Sequence, residues 1–379
     1  DRVDAALNAV RERLGFASWR PGQLEAMRQF VTGEDVLAIL PTGTGKSLTY
    51  QIPALLRPGL TMVISPLVAL MRDQVESLRE RGLTRVAAVT SGQPQSEQEE
   101  VLSRARAGHY KLLYVSPERL WTQRFRHALA DVNIARVVVD EAHCISQWGH
   151  SFRPEYLAIP RAVQALSAGD RRPPILSATA TATPEVQKEI QRELSLNLPQ
   201  GAITRDPDRP ELQYHVLDCL NVADREVQLA RVADCFRGQP AIVYVPSRRF
   251  AQQYSNALRS DNHVAAMYHG GMDAAARVYV EESFRSGEIN VVVATKAFGL
   301  GVDKADVSLV VHTEMPGSVE EYVQETGRAA RGAIEGAGPE IGTCVLLRTP
   351  RDCYVHGIFI KSASPDLPTL RTVWDRVEA

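Results

Sequence analysis

Residues 41–47, Pro-Thr-Gly-Thr-Gly-Lys-Ser, place two glycines, a lysine and a hydroxyl directly after the apolar run VLAIL (36–40) and before LTYQIPALL. Glycines let backbone N–H groups turn inward around a phosphate chain, and a helix N-terminus adds partial positive charge. In such a loop Thr42, Gly43, Thr44 and Gly45 wrap the phosphates of a nucleoside triphosphate. Lys46 reaches the β- and γ-phosphates, and the Ser47 hydroxyl holds Mg²⁺. The strict phosphate-loop pattern has glycine at position 40, where this chain has Leu40; the strand–loop–helix context supports the assignment without it. A second chemical group follows ARVVVD (135–140), whose apolar residues carry Asp140 to the C-terminal end of a strand, where open α/β sheets place their ligands. Asp140 there joins Ser47 around Mg²⁺, and the adjacent Glu141 orients or deprotonates an attacking water. Asp-Glu pairs are common on surfaces, so the specificity lies in the preceding strand and the upstream phosphate loop.

The elements that must hold these groups are legible as short β-branched runs alternating with segments of helical apolar spacing. Six runs occupy the first half: 36–40, 61–65, 86–90, 111–116, 135–140 and 173–179. Six more follow at 214–219, 241–246, 264–269, 289–295, 307–313 and 342–349. Strands apolar throughout, alternating with helices, predict parallel sheets covered on both faces. Between the sets lies TRDPDRPEL, where Pro207 and Pro210 interrupt regular structure. The expected organisation is α/β: a first lobe over 1–203, a linker over 204–212, a second lobe over 213–349, and a short helical C-terminal tail over 350–379. The cleft between the lobes is the expected ligand site. In the tail, Pro368 opens a helix with a stripe of Leu370, Val373, Trp374 and Val377. That stripe either packs onto the second lobe or begins an accessory domain cut at Ala379.

A chain of 379 residues fits two domains at roughly 150 residues each. With 44% hydrophobic and 23% charged residues it is not a disordered, collagen-like or disulfide-scaffold sequence. No window approaches 18 uninterrupted apolar residues, which excludes a helical membrane span, and DRVDAALNAVRERL lacks a signal-peptide core. The start at Asp1 reads as an internal boundary, and a cytoplasmic location is expected. Lys and Arg total 43 against 45 Asp and Glu, a net charge of −2, so a protein that coats nucleic acid indiscriminately is excluded and a local groove is required. The five cysteines, Cys144, Cys219, Cys235, Cys344 and Cys353, form no C-x-x-C pair. No zinc is expected in this chain, and reduced thiols are.

The stretch 142–156 gathers His143, Trp148, His150, Phe152, Arg153 and Tyr156 beside the two carboxylates. Flat rings stack on bases for about 1–3 kcal/mol each whatever the base sequence. Ser146, Gln147 and Gly149 mark a polar loop rather than a packed element. A loop joined to Glu141 in this way reports nucleic-acid occupancy to the triphosphate site; the plain alternative is that its aromatics are core.

Asp-Glu-Ala-His followed by CISQWGHSFRPEYL resembles the RecQ family of superfamily-two DNA helicases, and the likeness runs from about residue 14 to about 350. It is carried in order by LGFASWRPGQ (14–23), SPLVALMRDQ (65–74), SPERL (116–120), SATAT (177–181), YHGGM (268–272), ATKAFGLGVDK (294–304) and QETGRAAR (324–331). The resemblance implies two tandem RecA-like parallel-sheet domains that hydrolyse ATP with Mg²⁺. Phe16 would stack on adenine, Gln23 would pair with its N6 and N7, and Arg20 would assist; Trp19 reads as core. Arg328 and Arg331, three apart on a helical segment, would reach the γ-phosphate when the cleft closes. The family has glycine where Ala330 stands. Gly301 and Asp303 would close over the ribose and phosphates, with asparagine commoner in the family at the latter position. Single-stranded DNA would meet Ser65, Arg72, Ser116, Arg119, Ser177 and Thr179 on the first lobe. On the second it would meet Ser247, Arg248, His269 and Thr295, while His143, Trp148, Phe152 and Arg153 couple it to ATP. The resemblance further implies 3′→5′ translocation, action on tailed or branched duplex DNA, and a place in DNA repair and recombination, and a monomer is expected. Many members carry a four-cysteine zinc subdomain and a winged helix, yet no cysteine follows Cys353 here. Two other readings stay open: an RNA helicase, and a nucleotide-dependent recruitment module that binds DNA without unwinding it.

Overall fold

A computed structural model of the chain describes residues 2–66, 68–90, 92–130, 132–146, 152–165, 172–206, 208–298, 304–332, 338–352, 354 and 371. The chain divides into two compact units, Asp1–Asp208 and Arg209–Ala379. Each is built on a parallel sheet, the α/β, RecA-like class that the alternating runs predict.

The first unit has strands β1 (Val36–Ile39), β2 (Leu60–Ile64), β3 (Val86–Val89), β4 (Leu112–Val115), β5 (Ile134–Asp140), β6 (Ile175–Thr179) and β7 (Ile203–Thr204). Their order is β3-β4-β2-β5-β6-β1-β7, all parallel. Helices α1 (Arg2–Arg13), α2 (Gln23–Thr32), α3 (Leu48–Leu56), α4 (Val68–Glu80), α5 (Gln95–Arg106), α6 (Gln123–Leu129), α7 (Ile159–Ala165) and α8 (Pro184–Glu193) connect them. Alternate residues of each strand feed two separate cores. Met62, Val137 and Val139 face one, and Val63, Val138 and Leu176 face the other. This two-sided burial is why the strands read as apolar throughout. β7 has only two residues, too short for a periodic signal.

The second unit has β8 (Leu212–Asp218), β9 (Ala241–Tyr244), β10 (Ala265–Tyr268), β11 (Val291–Ala294), β12 (Leu309–His312) and β13 (Gly342–Arg348), in the order β10-β11-β9-β12-β13-β8. Helices α9 (Val222–Cys235), α10 (Arg248–Ser260), α11 (Ala274–Ser286) and α12 (Val319–Thr326) accompany them. β8 departs from the expected buried strand: among the described residues it pairs only with β13, and of its own residues only Leu212 is buried. As an edge strand it is exposed on both faces beyond Leu212, and Asp218 and Arg348 form an ion pair at 2.6 Å at its end. Just after β13, the Asp352 carboxylate lies 2.7 Å from the buried Arg225 guanidinium and accepts the Thr349 N–H at 2.9 Å. The tail positions Leu370, Val373, Trp374 and Val377, and Cys353, lie outside the described residues.

Candidate nucleotide and nucleic-acid site

β1 ends at the phosphate loop. Gly43 and Gly45 both have left-handed backbone, with φ of 82° and 70°. A Cβ at Gly45 would stand 2.9 Å from Gln23 Nε2, so only glycine fits there. The Thr44 hydroxyl donates to Pro41 O at 2.6 Å, and the first turn of α3 closes with Leu48 N donating to Gly45 O at 3.1 Å. Lys46 and Ser47 therefore occupy the start of a helix. The expected adenine residues are drawn to this same loop. Gln23 is buried and donates to Thr44 O at 2.7 Å and Gly45 O at 3.0 Å, while its Oε1 accepts the Arg20 N–H at 2.9 Å. The Arg20 guanidinium donates to Gly43 O. Both halves of the Gln23 amide are thus engaged within the chain, so pairing with adenine needs these bonds exchanged. Phe16 lies under the Arg81 guanidinium, 4.6 Å from the ring centre. Trp19 packs against the cluster of Leu7, Met27, Val31 and Ile52 and donates to Asn8 Oδ1 at 2.8 Å, a core role.

β5 delivers Asp140 to the same sheet edge. Its carboxylate accepts the Ser65 hydroxyl at 3.2 Å, and its backbone oxygen accepts the Tyr156 hydroxyl at 2.8 Å. Burial pushes the Asp140 carboxyl up to about 7; the neighbouring Glu141 charge adds to the rise, and Lys46 and the Ser65 hydroxyl oppose it. A buried carboxylate short of positive charge, with the Ser47 hydroxyl on the other strand–helix junction, is an oxygen donor set that suits a hard divalent cation. Mg²⁺ takes few protein ligands beside water and phosphate. Among the described residues no group of three or more His, Cys, Asp or Glu side chains forms a metal cage.

Glu141 has φ 48° and ψ 48°, a left-handed conformation uncommon for a residue with a Cβ and typical of functional positions. The turn brings Glu141 Oε2 within 3.3 Å of His143 Nδ1, and that nitrogen is 2.9 Å from Thr179 Oγ1 at the end of β6. Thr179 in turn donates to Thr181 O at 3.0 Å. A polar path therefore leads from the carboxylate pair into SATAT. Ser146, at the stem of the aromatic stretch, donates to the buried Glu189 of α8 at 2.5 Å. Trp148 lies outside the described residues; Phe152 is half-buried. Arg153 holds the stretch by N–H to Cys144 O at 2.9 Å and by its guanidinium to Pro66 O at 3.5 Å.

Ser65 and Ser116 follow β2 and β4 directly and are both buried. Arg119 donates to Thr90 O, just past β3, at 3.2 Å, and Arg72 is exposed near Gly92. These groups share the C-terminal edge of the sheet. Ser177 is buried as Ser65 and Ser116 are, at 0% exposed, but lies inside β6 between β5 and β1 rather than past a strand end. Thr179, also fully buried, is hydrogen-bonded to His143.

In the second unit Ser247 caps α10, its hydroxyl accepting Phe250 N–H at 3.4 Å, and Arg248 opens that helix. The Arg248 guanidinium presses on Gly271, where a Cβ would meet it at 2.5 Å. His269 follows β10 and Thr295 follows β11, Thr295 N donating to Tyr268 O at 3.1 Å, so all four residues lie at one sheet edge. Arg328 and Arg331 differ from expectation in their backbone. α12 ends at Thr326; Arg328 lies in the turn over 327–330, and Arg331 opens a short 3-10 segment just beyond it. That turn is held by Ala330 N to Val307 O at 2.9 Å and Gly332 N to Ala305 O at 2.8 Å, with Ala330 at φ 48°. Arg328 is buried beside the Tyr244 hydroxyl; burial pushes that phenol up to about 12, against the opposing pull of Arg328. Gly301 and Asp303 lie outside the described residues.

Three supports escaped the sequence reading. Tyr156 was placed among the aromatics, yet it clamps the Asp140 backbone. Arg209, in the proline-rich segment, donates to Ala330 O at 3.1 Å and so braces the arginine turn. Glu325 binds the buried His312 Nε2 at 2.7 Å. None carries a local spacing signal, because each partner is distant in sequence.

A phosphate loop after β1, an Asp-Glu pair after β5 and a second parallel-sheet unit define a superfamily-two helicase core. The DEAD/DEAH box helicase family matches residues 20–190, and the helicase conserved C-terminal domain matches 227–333. The chain is 40% identical over 99% of its length to the ATP-dependent DNA helicase RecQ of Haemophilus influenzae, and 38% identical over 96% to that of Pasteurella multocida. It spans 58% and 55% of those two proteins. The structure of Mycobacterium smegmatis helicase Lhr bound to single-stranded DNA and AMP-PNP matches with a TM-score of 0.72 at 25% identity, over 93% of this chain and 48% of that one. The chain belongs to the RecQ family.

Proposed function

We propose that this chain is the motor core of an ATP-dependent DNA helicase that moves 3′→5′ along single-stranded DNA and separates tailed or branched duplexes in DNA repair and recombination. The observation that carries the reading is the meeting of the phosphate loop with the buried Asp140 and left-handed Glu141, one strand apart on the edge that also presents Ser65, Ser116 and Arg119. The names of the RecQ relatives and the single-stranded DNA and AMP-PNP in the Lhr structure support it.

Thr42–Gly45 cradle the phosphates of ATP, Lys46 holds the β- and γ-oxygens, and Phe16, Arg20 and Gln23 select adenine after Gln23 releases the loop carbonyls. Ser47 and Asp140 would hold Mg²⁺, which would neutralise charge on the triphosphate. Glu141 orients the attacking water and takes its proton, while His143 and Thr179 carry its position into SATAT. Arg328 and Arg331 stabilise the transferring phosphoryl group when the lobes, 1–203 and 213–349, close about the 204–212 linker. Gly301 and Asp303 complete the nucleotide pocket. Single-stranded DNA runs over Arg72, Arg119, Arg248, His269 and Thr295, with Ser65, Ser116 and Ser247 giving hydroxyls to phosphates. Trp148, Phe152 and Arg153 stack on bases and report occupancy to Glu141. The chain acts inside the cell as a monomer.

ATPase activity measured with single-stranded DNA and with RNA of equal length tests the substrate class. DNA should stimulate strongly and RNA weakly; equal or greater stimulation by RNA would make this an RNA helicase. Tight DNA binding with no stimulation would make it a recruitment module.

A further inference from the structure

At the opposite end of the first sheet, where β3 and β4 begin, a cavity of about 370 Å³ opens to the surface. Leu78, Val86 and Leu112 form its buried floor, and Leu14 and Leu55 form its walls. The volume falls within the range of small-molecule sites, roughly 300–1,000 Å³. It lies a strand's length from Asp140 and Ser116, which sit at the C-terminal edge of the same sheet.

The cavity's polar residues are unbalanced in charge. Arg13, Arg85 and Lys111 line it, and among the described residues no carboxylate does, in a chain whose net charge is −2. Two of these cations are held in position by backbone oxygens. Arg85 donates to His109 O at 2.9 Å and Gly108 O at 2.7 Å, and Lys111 donates to Arg57 O at 2.5 Å. Each retains further N–H donors. Burial, then the nearby Arg85 and Arg136 charges, hold the Lys111 ammonium below its usual range. An anion at this rim relieves that repulsion, and an apolar body displaces water from the leucine-lined floor. The wall itself is fixed: Arg81 donates to Leu14 O at 3.1 Å while stacking on Phe16.

We propose that this cavity is a binding site for a small amphipathic anion, a carboxylate or phosphate monoester carried on a medium-length alkyl or aryl body. The body fills the space over Leu78 and Leu112, and the anionic head sits among Arg13, Arg85 and Lys111. The site contains neither the phosphate loop nor Asp140 nor the DNA-facing groups, and it touches the nucleotide residues only through Arg81, which braces Leu14 and stacks on Phe16; its occupancy is measurable without nucleotide or DNA.

Calorimetric titration of the whole chain with decanoate, decanol and acetate tests it. Decanoate should bind at one site per chain, decanol at least about tenfold more weakly, and acetate not at all; a tenfold change corresponds to about 1.4 kcal/mol. Lys111→Met and, independently, the exposed Arg13→Met should weaken decanoate severalfold and leave decanol unchanged. If Lys111→Met fails to fold, Arg13→Met and the wild-type ligand series decide alone. Decanol binding as tightly as decanoate, several equivalent decanoate sites, or no saturable binding would each overturn the proposal. Tighter, competitive binding of an acidic peptide bearing one phenylalanine would overturn it in favour of a protein partner.

Discussion

Lys46, on the loop after β1, and Asp140, the last residue of β5, meet because β6 alone separates β1 from β5. Lys46 lowers the cost of keeping a carboxylate in the buried position of Asp140, and Asp140 fixes where that cation is needed. Replacing Lys46 with alanine should lower ATP hydrolysis on the order of 10²–10³-fold, checked by steady-state phosphate release. Arg331→Ala should separate binding from chemistry: turnover should fall on the order of 10³-fold while nucleotide affinity, measured with a fluorescent ATP analogue, is retained. Equal losses in both would place Arg331 in ground-state binding instead. The loop and the carboxylate pair were readable because each is a contiguous pattern with a required flank. The self-bonding of Gln23 and the clamp from Tyr156 were not, since both depend on atoms brought together only by the fold.

Two elements carry constraints that spacing alone does not express. Ala330 has φ 48° and is fully buried where the resemblance puts glycine. No continuous helix can join Arg328 to Arg331 across it, because a left-handed residue cannot continue a right-handed helix; Arg331 instead opens a short 3-10 segment. Ala330→Gly should be nearly neutral, the strain relieved being offset by the lost methyl. Ala330→Val should cost about 2 kcal/mol or more in urea unfolding, because a β-branched residue resists positive φ. Asp35, just before β1, makes the second case. It accepts both Arg172 Nη atoms at 2.6 and 2.8 Å and the N–H groups of Ile175 and Asn197 at 2.9 and 2.8 Å, tying the starts of β1 and β6 together. Burial raises its carboxyl, but the Arg172 bond and the two N–H groups outweigh it, so its folded pKa lies below the ordinary value. Its stabilisation is therefore complete above the unfolded pKa of about 3.9 and is lost as pH falls through the lower folded value. Asp35→Asn should destabilise the first unit by about 2–3 kcal/mol at pH 7, and urea unfolding should show this gap from the wild type shrinking below about pH 4.

For the molecule as a whole, the parallel order of both sheets follows from the sequence because two-sided burial makes every inner strand apolar. Three of the four edge strands, β3, β10 and β8, answer to the runs at 86–90, 264–269 and 214–219; β7 is too short for any period, and the exposure of β8 is what the run at 214–219 does not express. The site divides in the same way: Lys46, Asp140 and Glu141 stand at strand ends where a motif reads directly, whereas the burial of Ser177, two residues inside β6, is set by the sheet, because a motif does not say which of its residues face inward. The motor reading is most directly tested by strand displacement with this chain on 3′-tailed and 5′-tailed duplexes under saturating ATP, with Lys46→Ala as the inactive control. Displacement confined to the 3′-tailed substrate and absent from the control is the expected result. Unwinding of neither substrate despite DNA-stimulated hydrolysis, or unwinding that persists in the control, would contradict it.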